Sequence, residues 1–166
     1  MKIIHPILPL YDDHSRILIL GSFPSVKSRE SQFFYGHPQN RFWKLIAKLY
    51  SQPVPETIEE KRALILSNHL ALYDTIYSCE ITGSSDASIK DAVPTDLSLI
   101  LSAAPIEIIC CNGAKSWELY QKHQLPLTGI PAKKLPSTSP ANASWSLDRL
   151  AEAWGSVLQS AVKPTS

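Results

Sequence analysis

The sequence predicts an α/β chain, a three-layer α/β/α sandwich with a mostly parallel central sheet. Three observations predict it. Two short runs, Arg16-Ile-Leu-Ile-Leu-Gly21 and Ile106-Glu-Ile-Ile-Cys-Cys111, are almost continuously apolar and end at Gly21 and Asn112-Gly113, the pattern of strands covered on both faces. Segments with apolar residues at helical spacing alternate with these strand-like runs. No linker, repeat or composition break divides the 166 residues, so one domain over 1–166 is expected. A chain of this length buries roughly 70% of its unfolded surface and needs no disulfide or metal to hold a core.

Taken in order, residues 16–21 read as a strand running into a turn-rich loop. Phe42, Leu45, Ile46 and Leu49 recur at helical spacing and predict an amphipathic helix over 40–50. Thr57 and Glu60 form a capping-box pattern, Thr-x-x-Glu, that opens a second helix to about residue 68. Residues 70–77 look like one strand, 96–103 a helix, 106–111 a strand and 114–123 a helix. Ser146 is placed to cap a last helix carrying Leu147, Leu150, Ala151, Trp154 and Leu158 on one stripe. In open sheets of this kind ligands bind beyond the carboxyl ends of the strands, which directs attention to the loops after residues 21 and 111.

The charge balance is 16 Lys plus Arg against 15 Asp plus Glu, a net +1 that excludes an acidic tail or a protein basic all over. The average hides an asymmetry: residues 21–48 carry +4 and 108–166 carry +3, whereas 49–107 carry −6. A basic side facing a polyanion is compatible with that distribution. No apolar run approaches the roughly 18 residues of a membrane span, and the amino-terminal segment is too short and interrupted for a signal peptide. The expectation is a soluble cytoplasmic protein. Cys79, Cys110 and Cys111 are read as reduced core thiols, being odd in number with two adjacent. The histidines His5, His14, His37, His69 and His123 are scattered without ligand spacing, so neither a metal nor another cofactor is expected.

Chemistry concentrates in two stretches. The first is Gly21-Ser-Phe-Pro-Ser25 followed by Phe33-Phe-Tyr-Gly-His-Pro-Gln-Asn-Arg-Phe-Trp43. Phe33, Phe34 and Tyr35 are each as readily core anchors as functional groups. Consecutive residues cannot all share an inward face, however, so at least one ring should reach a cleft and stack on a flat heterocycle. The second is Lys133-Lys134-Leu-Pro-Ser-Thr-Ser-Pro-Ala-Asn-Ala143, after a strand and before the last helix. It is either a solvent loop with a cap or a phosphate-gripping turn, with Ser137, Thr138 and Ser139 holding a backbone that Lys133 and Lys134 attract.

Together these stretches resemble the uracil-DNA glycosylase superfamily, most closely its hypoxanthine (deoxyinosine) DNA glycosylase branch. The resemblance also rests on Tyr73-Asp-Thr-Ile76, Cys79-Glu80, Gly83-Ser-Ser-Asp86, Asn112-Gly113 and Ser137-Thr-Ser-Pro-Ala-Asn142. The block ending Asn40-Arg-Phe-Trp43 is also similar to the mismatch-specific uracil/thymine enzymes. What the resemblance implies is a monofunctional, monomeric enzyme of DNA base excision repair. It would flip a deaminated nucleotide out of the duplex and hydrolyse its N-glycosidic bond, using no cofactor.

By the same resemblance Tyr35 is the stacking platform, with Phe34 beside it, and Ser22, Phe23 and Pro24 line the pocket. The superfamily's water-positioning Asn or Asp in the first loop is replaced by Phe23, and the function passes to Asn40. A helix cap is the competing role for Asn40. Amides of Ser22 and Phe23 and the side chain of Asn112 are placed to stabilise the leaving base. Asp74 stands where the base is read, or is a strand-end Asp bonded to nearby amides. Ser25, Lys133, Lys134, Ser137, Thr138, Ser139, Pro140 and Asn142 are the expected DNA contacts. Ser139-Pro140 replaces the usual His-Pro or Asn-Pro, and Ala141-Asn-Ala143 replaces a Leu wedge, so weaker duplex insertion is expected.

Three other readings stand beside this one. A uracil or mismatch glycosylase would differ only in its pocket. A serine hydrolase would use Ser22 or Ser25 with His37, although the Gly-x-Ser-x-Gly elbow is missing. An inactive nucleic-acid-binding relative would have kept only the fold, and lyase chemistry from Lys44 is less well founded than a phosphate contact.

Overall fold

The computed structural model describes residues 2–161. Its centre is a four-stranded parallel sheet in the order β3 (Leu70–Asp74), β2 (Ile17–Gly21), β6 (Ile108–Asn112) and β7 (Ala132–Leu135). The register pairs Gly21 with Asp74 and Leu20 with Cys111, which brings these strand ends level. Every residue of β2 and β3 is buried, as the unbroken apolar sequence of β2 requires, and the burial in β3 extends to Asp74 at its end. Helices flank the sheet in the expected three-layer arrangement. α2 (Phe42–Leu49) packs against α3 (Ile58–Ser67) and α7 (Leu147–Ala161), while α5 (Ala114–Leu119) lies on β6 and β7.

The helices form where sequence periodicity and caps place them. The Thr57 hydroxyl accepts from the Glu60 amide and the Glu60 carboxylate takes the Thr57 amide, each at 3.1 Å, so the capping box is complete. Leu150, Trp154 and Leu158 of α7 are fully buried beside Phe42, Leu45 and Ile46 of α2. Each such side chain contributes roughly 1.5–3 kcal/mol by leaving water. Trp154 also donates its indole N–H to the Pro136 carbonyl at 2.9 Å, which ties the helix to the end of β7.

The structure departs from the sequence reading in several places. The single strand expected over 70–77 divides at Thr75. The Thr75 amide bonds the Gly21 carbonyl and the Ile76 amide bonds the Ser22 carbonyl, so the chain turns around the end of β2. β4 (Ile76–Glu80) then enters a separate antiparallel sheet between β1 (Lys2–Ile4) and β5 (Lys90–Pro94), which the sequence did not announce. α1 (Val26–Ser31) and a 3-10 turn at Asp86–Ser88 were likewise unforeseen, whereas α4 (Ser98–Ala103) appears within the expected 96–103. The helix expected over 114–123 continues as a π turn, Tyr120–Gln124, into α6 (Leu125–Thr128). Buried Gln124 there donates to the carbonyls of Thr75 and Thr95. Finally, Lys133 and Lys134 lie within β7 rather than after it.

Cys79, Cys110 and Cys111 are buried and unbridged. Among the described residues no helix is long and apolar enough to cross a membrane. Nor do three or more His, Cys, Asp or Glu side chains gather as a metal cluster there.

Candidate active site

Three strands deliver their last residues to one cleft: β2 ends at Gly21, β3 at Asp74 and β6 at Asn112. The cleft has a volume of about 350 Å³. Its walls are the loop after β2, the block containing Phe34, Tyr35, His37 and Asn40, the Ser84 and Asp86 segment, and residues 137–141. Of the residues picked out in the sequence, Ser22, Phe23, Pro24, Ser25, Phe34, Tyr35, Asn40, Asp74, Asn112, Ser137, Thr138, Ser139 and Pro140 meet here. Lys133, Lys134 and Asn142 do not. Lys134 and Asn142 line an adjoining groove, and Lys134 Nζ sits 5.5 Å from the Trp117 ring centroid.

Asp74 forms part of the floor and is 4% exposed. Its Oδ2 receives the His5 Nε2 proton at 2.7 Å, and the tautomer is fixed because His5 Nδ1 accepts the Ile7 amide at 3.2 Å. Asp74 is therefore held by an imidazole and not by neighbouring amides. Its Oδ1 is left without a protein partner among the described residues and lies beside Gly21. A Cβ on that glycine would stand 2.4 Å from Asp74 Oδ1 and 3.4 Å from the Tyr35 hydroxyl. The carboxylate thus occupies the space that Gly21 vacates.

Phe33 and Phe34 are both core residues, at 6% and 2% exposure. Tyr35 escapes that face through a left-handed backbone, φ 52°, a conformation that bulky residues rarely adopt. Its ring stacks on Phe42 at 4.1 Å between centroids with a 22° interplanar angle. Its hydroxyl is buried without a hydrogen-bond partner. Burial first, and the Asp74 carboxylate second, raise the pKa of that phenol far above its usual value, so it stays protonated.

Asn40 stands one residue before Arg41, the N-cap of α2, and its Oδ1 accepts the Phe42 amide at 2.9 Å in an Asx turn, so it steadies the entry to the helix without being its N-cap. The same oxygen accepts the Thr138 hydroxyl at 2.8 Å. Arg41 fixes the opposite wall: its guanidinium donates to the carbonyls of Ser139 and Asn142, each at 3.0 Å, and to that of Trp145. Asn142 turns inward as well, donating Nδ2 to the Ser137 carbonyl at 3.0 Å. Gly113, at φ 101°, leaves room for Ser137, whose Cβ would be 3.1 Å from a Cβ at position 113.

In the first loop the Ser22 carbonyl accepts the Ile76 amide, which anchors the turn through an oxygen and not through an N–H. Ser22 Oγ donates to Asp86 Oδ1 at 2.6 Å. Although Asp86 is exposed overall, its carboxyl lies against the cleft wall. That loss of water raises its pKa above the ordinary carboxylate value, with the Ser22 bond pulling the other way. Ser25 caps α1, its Oγ accepting the Ser28 amide at 3.1 Å. His37 Nδ1 accepts the Gln39 amide at 3.1 Å. Ser22 thus pairs with a carboxylate and neither serine has an imidazole partner, which leaves the serine-hydrolase reading without its base.

His5, Arg41 and Asp86 were missed as site residues. His5 reaches its partner from 69 residues away, and no local pattern marks it. Arg41 and Asp86 lie inside two local sequence motifs, Asn40-Arg-Phe-Trp43 and Gly83-Ser-Ser-Asp86.

The chain matches the family model described as the uracil DNA glycosylase superfamily over residues 8–157. It is 35% identical over 150 residues to a protein of Methanosarcina acetivorans named hypoxanthine DNA glycosylase, covering 89% of this chain and 93% of that one. A protein of the same name from Methanosarcina barkeri is 32% identical over 136 residues, with 81% and 85% covered. A solution NMR structure from Methanosarcina acetivorans, provisionally named a uracil DNA glycosylase, superposes with a TM-score of 0.81 at 33% identity, covering 96% of this chain and 98% of that one. Matched over nearly its whole length in sequence and in backbone, the chain belongs to the uracil DNA glycosylase superfamily.

Proposed function

We propose that this protein is a DNA repair glycosylase that hydrolyses the N-glycosidic bond of deoxyinosine, releasing hypoxanthine and leaving an abasic site. The observation that carries the reading is the cleft floor: the free Asp74 Oδ1 lies beside Gly21 and the Tyr35 hydroxyl. Asp74 Oδ1 accepts from the N1–H that deamination creates, or from N3–H of uracil. Adenine presents a lone pair at N1, and a carboxylate repels it.

The target nucleotide leaves the stack, at a cost of a few kcal/mol, and its base lies on the Tyr35 ring, which Phe42 braces from behind. The C1′–N9 bond breaks with its electron pair passing to the base, and the sugar gains oxocarbenium character. Amides of Ser22 and Phe23 stabilise the charge on the departing base. A water held by Asn40 adds its oxygen to C1′ and loses a proton to solvent, while the base gains one to leave as neutral hypoxanthine. Ser137, Ser139 and Pro140 face the DNA backbone in the wall that Arg41 braces. All these groups come from one chain, and the enzyme acts as a monomer.

The test incubates the purified protein with labelled duplexes containing deoxyinosine, uracil opposite G or A, or an alkylated base, followed by alkali. Cleavage at deoxyinosine well above the other sites supports the reading. Comparable cleavage at uracil makes the enzyme a broader imide-reading glycosylase, and binding without cleavage makes it an inactive relative.

A further inference from the structure

Thr138 is fully buried, and its position in the cleft wall conflicts with the contact to DNA that its sequence neighbourhood implies. Two backbone amides determine what its hydroxyl does. The Thr138 N–H donates to Asn112 Oδ1 at 3.0 Å, which obliges Asn112 to turn its Nδ2 toward Thr138 Oγ1, also at 3.0 Å. The Phe42 N–H donates to Asn40 Oδ1, which obliges Asn40 to present an acceptor to the same hydroxyl. The hydroxyl therefore accepts from Asn112 and donates to Asn40, and no other orientation satisfies both amides. With two donors on its Oδ1, Asn40 has only its Nδ2 donor left for the cleft.

We infer that Thr138 is a positioning residue: its hydroxyl joins Asn112 to Asn40 in one polarised chain and turns the Asn40 amide so that Nδ2–H faces the reacting sugar and its water. The inference rests on the glycosylase reading and on Asn40 as the residue that holds the water. Removing the hydroxyl leaves Asn40 Oδ1 with the Phe42 amide alone, and the side chain gains freedom about the bond that aims it. A misplacement near 1 Å at a reacting centre costs on the order of 10²-fold in rate. Ground-state contact with DNA is untouched, because the hydroxyl is inside the protein.

The experiment compares Thr138→Val, which keeps the shape, with Thr138→Ser, which keeps the hydroxyl, in single-turnover release of hypoxanthine from a deoxyinosine duplex. The expected result for the Val variant is a maximal rate lower by roughly 10–100-fold, with an unchanged protein concentration for half-maximal rate. The Ser variant should stay within a few-fold of the parent. In an Asn40→Ala background, Thr138→Val should add little further loss, because the chain it completes is already broken. Equal rates for Val and Ser variants, or losses that multiply with Asn40→Ala, overturn the inference. Melting temperatures are read on the same proteins, and Thr138→Ala replaces the Val variant if that one does not fold. An inactive parent protein, or a fully active Asn40→Ala variant, instead strikes the underlying reading.

Discussion

His5 donates Nε2–H to Asp74 Oδ2 over 2.7 Å, a buried bond between residues 69 apart in the chain. The imidazole also stands edge-on to Phe23 and Tyr73, at 5.8 and 5.1 Å between ring centroids. This one side chain links the amino-terminal segment, the first cleft loop and the end of β3. Held at Oδ2, the Asp74 carboxylate keeps its other oxygen at the cleft floor.

Replacing His5 by Ala leaves a buried carboxylate short of its donor, and such an orphan costs roughly 1–3 kcal/mol, or more when charged. Denaturant unfolding of His5→Ala should show a loss of at least that order, and hypoxanthine release should fall more than the lost stability accounts for. A variant with parental stability and turnover would mean that Asp74 is held by other contacts.

Gly21→Ala tests the packing of the floor directly. The added methyl would sit 2.4 Å from Asp74 Oδ1, so the carboxylate must move. Turnover is expected to drop roughly tenfold or more while the fold survives, as judged by circular dichroism. Unchanged turnover would show that the position of Asp74 Oδ1 does not matter for base recognition.

Asn40→Asp separates two roles that an asparagine can play. Because Oδ1 already takes Phe42 N–H and the Thr138 hydroxyl, aspartate would present an acceptor where the parent presents a donor. Asn40→Asp should be as impaired as Asn40→Ala in single-turnover assays. A faster Asp variant would mean that this position serves as a base.

Tyr35 carries its ring and its hydroxyl to different effect. Tyr35→Phe keeps the stack on Phe42 and removes a buried, unpartnered hydroxyl, so melting temperature should hold or rise. Turnover should stay within about tenfold of the parent, whereas Tyr35→Ala loses a platform worth roughly 1–3 kcal/mol per base. Equal activity in the Phe and Ala variants would remove the ring from the mechanism.

Burial pushes the thiols of Cys110 and Cys111 up to about 12. Thiolate, the reactive form, is therefore scarce at neutral and mildly alkaline pH. A thiol reagent at pH 8 should label neither residue until denaturant is added, as peptide mass spectrometry would read. Rapid labelling of the native protein would mean that β6 opens readily.

The parallel sheet was legible because β2 and β6 are buried on both faces and read as apolar runs, and α2, α3 and α7 because stripes and caps are local signals. The antiparallel sheet was not. β1 and β5 are short and largely exposed, and the break at Thr75 depends on hydrogen bonds to Gly21 and Ser22 that sequence spacing does not encode. The same division runs through the site. Tyr35, Asn40, Asp74 and Asn112 fell within contiguous motifs and meet in the cleft. His5 and the inward turn of Thr138 arise from contacts across the chain, and that of Asn142 from its bond to the Ser137 carbonyl, so the second stretch looked like a row of outward DNA contacts when part of it braces the wall.

Free hypoxanthine is the product that defines the proposed reaction. Single-turnover incubation of the protein with a duplex containing one deoxyinosine, followed by chromatography of the released base, should yield stoichiometric hypoxanthine from the parent. Asn40→Ala should be slower by roughly 10²-fold or more. No released base from a folded, DNA-binding protein, or an Asn40→Ala variant as fast as the parent, would contradict it.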